Sequence, residues 1–465
     1  MAAEKKIPLK LMVDKEKKRV VWAETDSDFV DVVFSFLTMP IGTIVRLATK
    51  ESKIGSMDGL YRSIEKMDEK YFQTPACKAM LLRPRNASQK KCHKLAVKID
   101  DTTVSYLYWC SNCSVLQYYL DTCKKCGRVM PPQGEPEFSK VNGVFVKGRM
   151  EFVVKDDLQV IPVSATSSLF ILQTLEIKDE MALEEMDIEF GREEAMNLLK
   201  CFLLSTTALT DGFLPKPENM VLGQVIKPSK TEKMTEKEDA KETLVDSKVM
   251  MQGKLIIRKS SDEVVYLEAT EDMTNFIVSF LTFPVGLIAK LVGGYSLPGS
   301  AGNLYQSIEE LKAEDHLNSK ESKTELLNPK LACLMGSDDQ LFGIEEAVLP
   351  YTNQCLNTKF AHSETKKGGS FMKGSSKFML TDDLTVEMFS PSAAFSLLKK
   401  LNVPLHDLKV QDITIGAEEA VKLLRAAMTS TTVLTDVFCP KKEEHELHSP
   451  ESSTASVIEE QFVCL

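Results

Sequence analysis

Four cysteines form two closely spaced pairs in the first third of the chain. Cys110 and Cys113 are separated by two residues, nine residues follow, and Cys123 and Cys126 repeat the two-residue spacing. A two-residue gap lets both thiolates of a pair reach one ion from a tight turn, and four thiolates complete the tetrahedral shell of Zn²⁺. We therefore predict a structural zinc site, since a closed shell leaves no position for a substrate. A redox dithiol pair or four unrelated cysteines are the alternatives.

The residues around the cysteines favour a metal-binding turn. Gly127 follows the last cysteine, where a glycine allows the chain to close on the ion. Lys124, Lys125 and Arg128 would partly offset the charge of four thiolates on one zinc ion. Residues 114–120 are enough for a compact hairpin or turn between the two pairs.

The chain repeats three segments of its own sequence. Two patterns recur at a shift of 244 residues: S-F-L-T-x-P-x-G at residues 35–42 and 279–286, and L-Y-x-S-I-E at residues 60–65 and 304–309. A third recurs at a shift of 225 residues: S-T-T-x-L-T-D at residues 205–211 and 430–436. This repetition predicts a tandem duplication, which allows one copy to be compared with the other.

The cysteine segment belongs to the first copy alone. In the first copy Asp156 follows Ser63 by 93 residues, whereas in the second copy Asp382 follows Ser307 by 75 residues. The difference of 18 is close to the length of the cysteine segment. We therefore expect that zinc is not needed to build the common fold. It would brace a loop or present a small surface to a partner.

The residue patterns predict the same order of elements in both copies. Each copy opens with a hairpin, at residues 9–24 and 254–267, and continues with an apolar helix, at residues 29–37 and 276–281. Asp26 or one of the next two residues would cap the first of these helices. A proline follows each helix and either kinks it or begins a new one.

Later elements complete an α+β pattern in each copy. They are hairpins at residues 151–163 and 378–386, strands at 186–190 and 410–415, and a helix at 169–175. Glu194 and Glu419 then lie at the start of the last helices, where acidic residues suit the helix dipole. We expect Asp211 and Asp436 in the turn after those helices. The predicted fold class is α+β, with two tandem homologous copies of hairpin-plus-helix units and a small zinc-knuckle insert in the first.

These patterns divide the chain into four parts. The first copy would occupy residues 6–214, with the zinc knuckle at about 105–130, and the second copy residues 251–440. Two charged stretches contain few apolar side chains that could be buried. They predict a flexible linker at residues 215–250 and a disordered tail at residues 441–465.

Composition narrows the function classes. A net charge of −10 argues against non-specific nucleic-acid binding. The apolar fraction of 43% and the charged fraction of 27% are typical of a soluble globular protein. The N-terminal residues lack the apolar core of a secretory signal, so we expect a cytoplasmic or nuclear protein that is not secreted. In that reducing environment, paired cysteines favour metal binding over disulfides.

Two local features have plain structural interpretations. The basic residues from Arg83 to Lys94, with the Cys92–His93 pair among them, are expected in a solvated surface loop. The apolar stretch at residues 276–289 is shorter than the roughly 18 to 20 residues that span a bilayer. A buried core helix is therefore favoured, and an interfacial membrane segment is the alternative.

The pattern of polar residues gives little support to an enzyme. None of the histidines has a counterpart in the other copy: His93, His316, His362, His406, His445 and His448. Asp156–Asp157 and Asp382–Asp383 are repeated and might suggest paired carboxylates, but their position between two strands predicts turns. The leading hypothesis is a non-enzymatic binding or scaffold protein with a protein partner. The alternatives are an enzyme or small-molecule binder with a pocket between the copies, and a peripheral membrane protein.

Taken together, the motifs resemble a family known in plants. The S-F-L-T-x-P-x-G and L-Y-x-S-I-E segments, the D-D-L hairpins, the E-E-A helices and the K-C-G knuckle are similar to those of the family catalogued as domain of unknown function 674. The resemblance covers both copies and implies a plant source, tandem copies and cysteine pairs in the first. It implies no established activity and no catalytic residues.

Overall fold

The computed structural model describes nine stretches of the chain: residues 5–101, 107–131, 143–163, 183–214, 249–338, 341–348, 355–360, 368–374 and 376–440. The predicted helix at residues 169–175 and the predicted tail lie outside the described residues, as does the predicted linker except for its last two residues. We refer to residues 5–214 as the N-terminal half and to residues 249–440 as the C-terminal half.

Two five-stranded antiparallel sheets dominate the fold. The N-terminal sheet contains β1 (Ile7–Asp14), β2 (Arg19–Asp26), β5 (Glu151–Lys155), β6 (Val160–Pro162) and β7 (Leu183–Phe190). The C-terminal sheet contains β8 (Met251–Arg258), β9 (Glu263–Ala269), β11 (Phe378–Thr381), β12 (Val386–Met388) and β13 (Leu408–Ile415). The strand orders, β6-β5-β2-β1-β7 and β12-β11-β9-β8-β13, are equivalent. A third sheet, β10-β4-β3, is built from β3 (Leu107–Cys110), β4 (Val115–Tyr118) and β10 (Cys355–Leu356).

The helices pack against these sheets and against one another. In the N-terminal half they are α1 (Ser27–Ser35), α2 (Ile41–Leu47), α3 (Met57–Lys66), α4 (Pro75–Leu82), α5 (Gln89–Cys92), α6 (Arg192–Phe202) and α7 (Ala208–Phe213). In the C-terminal half they are α8 (Glu271–Ser279), α9 (Val285–Val292), α10 (Ala301–Glu310), α11 (Ala313–His316), α12 (Lys320–Leu327), α13 (Pro391–Lys400), α14 (Ala417–Thr429) and α15 (Val433–Phe438). The mixed α+β class is as predicted.

Local sequence signals determine where these elements begin. Asp26 caps α1 by accepting the Asp28 N–H at 2.9 Å. Pro40 and Pro284 each precede a new helix, α2 or α9. A proline is tolerated there because a backbone N–H at the start of a helix has no partner within the helix. Glu194 and Glu419 turn back to accept the N–H of the glycine that precedes their helix, at 2.9 and 3.0 Å. The predictions for these helix starts are therefore confirmed.

The apolar helices α1 and α8 lie in the interior. Phe29, Phe34 and Phe276 are buried, and both helices contribute to one continuous hydrophobic core shared by the two halves. Burial of this kind is the favoured interpretation of these segments, and it leaves their apolar side chains unavailable to a lipid surface. Among the described residues, no helix combines the length and the apolar character needed to cross a membrane.

The two halves meet along the repeated S-F-L-T-x-P-x-G segments. The Ile41 N–H donates to the Phe283 carbonyl at 3.0 Å, and the Val285 N–H donates to the Met39 carbonyl at 3.1 Å. A Cβ atom on Gly42 would lie only 2.8 Å from the Leu281 carbonyl oxygen, which is closer than Cβ atoms approach other heavy atoms. Glycine is therefore required here because the backbones of the two halves nearly touch.

Each half also docks a helix onto the other half. At the start of α3, the Ser56 N–H donates to the Ala427 carbonyl at 3.0 Å. At the start of α10, the Ser300 N–H donates to the Phe202 carbonyl at 2.9 Å. The repeated L-Y-x-S-I-E helices thus contact α14 and α6 of the opposite halves, an exchange that the sequence repeat did not reveal.

A buried acidic residue holds one of the connecting loops. The Asp31 carboxylate accepts the N–H groups of Val144, Phe145 and Val146 at 2.6, 2.7 and 2.9 Å. Burial raises the pKa of Asp31 to about 7, against the opposing effect of these three donors. At the equivalent place in the other half, the Asn275 amide oxygen accepts two backbone N–H groups, at 3.0 and 2.9 Å.

The contrast between Asp31 and Asn275 predicts a pH-dependent stability. The pKa of the Asp31 carboxyl is raised in the folded state, so folding favours the protonated form. The stability that this form contributes is complete below the unfolded pKa near 4 and is lost as pH rises through about 7. Relative to the wild type, Asp31→Asn should therefore gain stability between pH 4 and 8, by up to roughly 4 kcal/mol. Urea unfolding at both pH values measures this difference, and a difference independent of pH would contradict the assignment.

Candidate metal centre

The four predicted ligands come together in the structure. The Sγ atoms of Cys110, Cys113, Cys123 and Cys126 all lie within 4.8 Å of one another, and those of Cys110 and Cys126 are 3.6 Å apart. Four thiolates at about 2.3 Å from one zinc ion would place neighbouring sulfur atoms about 3.8 Å apart. The cluster therefore could hold a metal ion with little rearrangement.

Two tight turns position these sulfur atoms. β3 ends at Cys110 and β4 begins at Val115, so the first pair lies in the hairpin between them. In the second turn, the Cys123 N–H donates to the Arg128 carbonyl and the Gly127 N–H donates to the Cys123 carbonyl, both at 2.8 Å. Gly127 has a φ of +72° with open space around its Cα, so backbone conformation rather than crowding favours glycine here.

Backbone donors and the neighbouring thiols set the electrostatics of the cluster. The Arg128 backbone N–H lowers the pKa of the Cys126 thiol to about 6. The hydrogen bond with Cys126 raises the pKa of Cys113 to about 12, and burial raises the pKa of Cys123. A turn that donates to sulfur favours the thiolate, which is the form that binds metal.

The C-terminal half completes the sheet that carries the cysteines. β10 pairs in parallel with β4, with Cys355 opposite Leu116 and Leu356 opposite Gln117. Leu356 also packs into a small buried cluster with Cys110, Cys123 and the neighbouring Val115 and Met130. The cysteine module therefore joins the two halves, although the sequence placed it in the first half alone.

Lys124 adds a second connection between the module and the C-terminal half. Its ammonium group donates to the carbonyl oxygens of Thr358, at 3.0 Å, and of Phe360. Lys124 thus contacts backbone carbonyls of the C-terminal half, and its role in offsetting thiolate charge stays a prediction. A lysine within a cysteine motif gives no signal of such a distant partner.

Gln117 ties β4 to the second turn from inside the module. Its side chain is fully buried, and its amide donates to the carbonyls of Leu120 and Thr122 at 2.9 and 2.6 Å. Its amide oxygen accepts the Lys124 N–H at 3.2 Å. Sequence reasoning missed Gln117, and a glutamine between two aliphatic or aromatic neighbours in a strand was the only signal that could have found it.

The basic segment before the module is not a solvated loop throughout. The Arg85 guanidinium is buried and lies 3.4 Å from the centre of the Tyr118 ring, a cation–π contact that anchors β4. Cys92 is buried as well, with its sulfur 3.7 Å from the Thr38 hydroxyl. The surface-loop prediction was therefore wrong for these two residues.

Two further cysteines, Cys355 in β10 and Cys333, lie apart from the cluster of four. Cys333 and Cys355 pack with Tyr118 and Leu334 in a separate buried group. Burial raises the pKa of the Cys355 thiol to about 12, so it stays protonated at neutral pH. These residues serve packing and not metal binding.

The repeated acidic pairs hold the ends of the sheets in place. The Asp156 carboxylate accepts the Thr210 N–H and hydroxyl, both at 2.8 Å, and Asp382 binds Thr435 in the same way, at 2.8 and 2.7 Å. Each bond fastens a hairpin turn to the short helix near the end of its half. Asp211 and its counterpart Asp436 lie in these helices, α7 and α15, so their prediction as turn residues was wrong.

The fold and the cysteine cluster define an α+β protein with two equivalent sheets and a site that could hold a metal ion. A comparison with protein-family models finds a match over residues 3–418 to the family described as Protein of unknown function (DUF674). The chain therefore belongs to this family. No curated protein and no solved structure matches the chain.

The contacts of Gln117 predict that this residue stabilises the module independently of the ligands. Gln117→Leu would remove the donor of two partly buried hydrogen bonds, and a hydrogen bond typically contributes about 0.5–1.5 kcal/mol to stability. We expect a lower melting temperature for Gln117→Leu, measured by circular dichroism, and no change for Ser111→Ala at an exposed position of the module. Equal melting temperatures for the two variants would refute this role.

Proposed function

We propose that the protein is a non-enzymatic binding or scaffold protein of the cell interior, in which a zinc ion braces the contact between two homologous halves. The observation that carries this proposal is the parallel pairing of β10 with β4. Through it, the strand that lies between the two cysteine turns is joined to the C-terminal half. A metal ion that closes the turns would therefore also hold this contact.

The donor set supports zinc and a structural role. Cys110, Cys113, Cys123 and Cys126 would supply four thiolates, the ligand set of closed zinc sites. The ion would neutralise the charge of the thiolates and would join the two turns in a fixed tetrahedral geometry. Apparent zinc-binding free energies in small zinc modules are roughly 10–16 kcal/mol, which is enough to stabilise a module of this kind.

Equivalent architecture supports the duplication. The two large sheets have the same strand order, and each carries a register shift near the middle of its first hairpin, between Met12 and Val13 and between Ile256 and Ile257. We propose that the copies correspond to residues 6–214 and 251–440, that residues 215–250 link them, and that residues 441–465 form a tail. The exchanged helices would then have evolved within one chain.

The uses of the repeated polar residues support a binding role rather than catalysis. Asp156 and Asp382 each accept two hydrogen bonds from a threonine, so they stabilise turns. The L-T-D segments supply those threonines, and thus the repeated polar motifs are accounted for by structure. A scaffold of this kind would present surfaces to a protein partner.

Metal analysis of the purified full-length protein tests the brace. We expect about one zinc ion per chain and loss of that zinc in the variant with Cys110→Ser and Cys123→Ser. Cys439→Ser, outside the cluster, is the matched control and should retain the ion. Zinc-free wild type, or zinc retained by the double variant, would refute the site.

Hydrogen exchange tests the connection between the halves. Removal of the ion by a chelator should speed amide exchange in peptides covering β10 and β4, because the contact between them loses its support. Amide exchange in β8 and β9, which lie in the five-stranded C-terminal sheet, should be unchanged. Equal protection of β10 with and without the ion would limit the metal to a local role within the N-terminal half.

A further inference from the structure

The two large sheets differ at the edge strands β7 and β13. Each of these strands has eight residues and lies at the end of its sheet, and they pair with β1 and β8 in equivalent registers. The outer edge of such a strand presents backbone N–H and C=O groups to which another strand can add. A chemical difference between two equivalent edges therefore indicates a difference in what they bind.

The outer edge of β13 is open. The Lys259 N–H donates to the carbonyl of Asp407, the residue opposite it, at 2.7 Å, which fixes the alternation of the β8–β13 ladder. In that alternation, the residues that turn their backbone groups away from β8 are Leu408, Val410, Asp412 and Thr414. Within the part of the chain that the structure describes, no group hydrogen-bonds to these outward backbone groups.

The equivalent edge of β7 carries more charge. The residues at the four equivalent positions of β7 are Leu183, Glu185, Asp187 and Glu189. Charged side chains on an edge strand oppose the addition of a further strand, because they would have to give up water. In β13, Val410 and Thr414 stand where β7 has Glu185 and Glu189, and only Asp412 keeps the carboxylate. The edge of β13 therefore lacks most of the protection that β7 has.

Apolar side chains are exposed where β13 begins. Val410 is 66% exposed, and Leu405, in the short turn that leads into β13, is 69% exposed. Val410 lies directly opposite Ile256, so the two side chains share one face of the sheet. Ile256 belongs to a buried cluster with Leu398 of α13. The exposed side chains therefore extend an apolar cluster that α13 covers only in part, as is typical of a binding surface.

The chain leaves the described part of the structure close to this edge. Cys439 lies within electrostatic range of Lys409 in β13 and of Asp262 in the turn between β8 and β9. Residues 441–465 follow, outside the described residues, and residues 441–456 are mostly polar or charged. The segment 457–465 is different, since it reads V-I-E-E-Q-F-V-C-L and combines β-branched and aromatic residues that favour strands.

Chain length and charge both suit this segment to the open edge. The residues between Cys439 and the segment, 440–456, can span up to about 56 Å, whereas β13 is about 27 Å long. A segment of the same chain acts at an effective concentration on the order of millimolar, which favours it over a second molecule. Its Glu459 and Glu460 would be attracted to Lys399 and Lys400, which are exposed in the last turn of α13.

We propose that residues 457–465 bind the open edge of β13 and add a sixth strand to the C-terminal sheet. The outward backbone groups of β13 would pair with the segment, and its apolar side chains would cover Leu405 and Val410. A strand from another protein would then reach this edge only by displacing the segment. This site goes beyond the proposed metal brace, and its failure would leave the brace untouched.

The N-terminal half supplies the variant that tests the edge. Val410→Glu gives β13 the carboxylate that β7 has at the equivalent position, Glu185, and the side chain is exposed enough for the variant to fold. Phe462→Asp with Val463→Asp removes apolar side chains from the segment itself. Leu447→Asp is the matched control, because it makes the same kind of change in the polar part of the tail.

Hydrogen exchange of the full-length protein, read by mass spectrometry, measures the docking. In the wild type we expect residues 457–465 to exchange at least tenfold more slowly than in Val410→Glu or in the double aspartate variant. The peptide that covers β13 should lose the protection of its outward N–H groups in both variants. Leu447→Asp should behave as the wild type, β7 should exchange equally in all four proteins, and melting temperatures would confirm that each variant is folded.

Three results would overturn the proposal. The first is rapid exchange of residues 457–465 in the wild type, which would show that the segment does not dock. The second is equal protection of β13 in the wild type and in the folded double aspartate variant. The third is protection of β13 that rises with protein concentration and survives the change in the segment, which would assign the edge to a second copy of the chain.

Discussion

The structure depends on the close approach of its two halves at the S-F-L-T-x-P-x-G segments. Two reciprocal backbone hydrogen bonds, from Ile41 to Phe283 and from Val285 to Met39, join them at the centre of a shared core. Gly42 permits the approach because any larger residue would meet the Leu281 carbonyl. With the segments joined, the L-Y-x-S-I-E helix of each half lies against the other half. Burial of the apolar helices on both sides stabilises the arrangement.

Against this near-symmetry, two differences between the halves stand out. One is the cysteine module, which the N-terminal half inserts and the C-terminal half completes with β10. The other is Gly59 in α3, which lacks the amide that its counterpart Asn303 in α10 donates to the Asp157 carbonyl. The features that both halves share serve the fold in each, so these departures are the places where function is most readily sought.

Local sequence patterns predicted much of the fold and the cluster of four cysteines. Hairpins, helix starts such as Asp26 and Glu194, and the close spacing of Cys110 and Cys113 depend on residues a few positions apart. The exchange of helices, the pairing of β10 and the burial of Arg85 against Tyr118 depend on contacts between distant residues. A motif carries no information about such partners, which is why the contacts of Lys124 were not predicted and Arg85 and Cys92 were wrongly placed in a surface loop.

Equilibrium unfolding in urea tests most directly whether the two halves form one interlocked unit. Tryptophan fluorescence reports on the N-terminal half, because Trp22 and Trp109 both lie there, and hydrogen exchange of peptides from β8 and β9 reports on the C-terminal half. The shared core predicts that both signals change in a single transition with one midpoint. Two transitions with separate midpoints would show that each half folds by itself and would contradict this account.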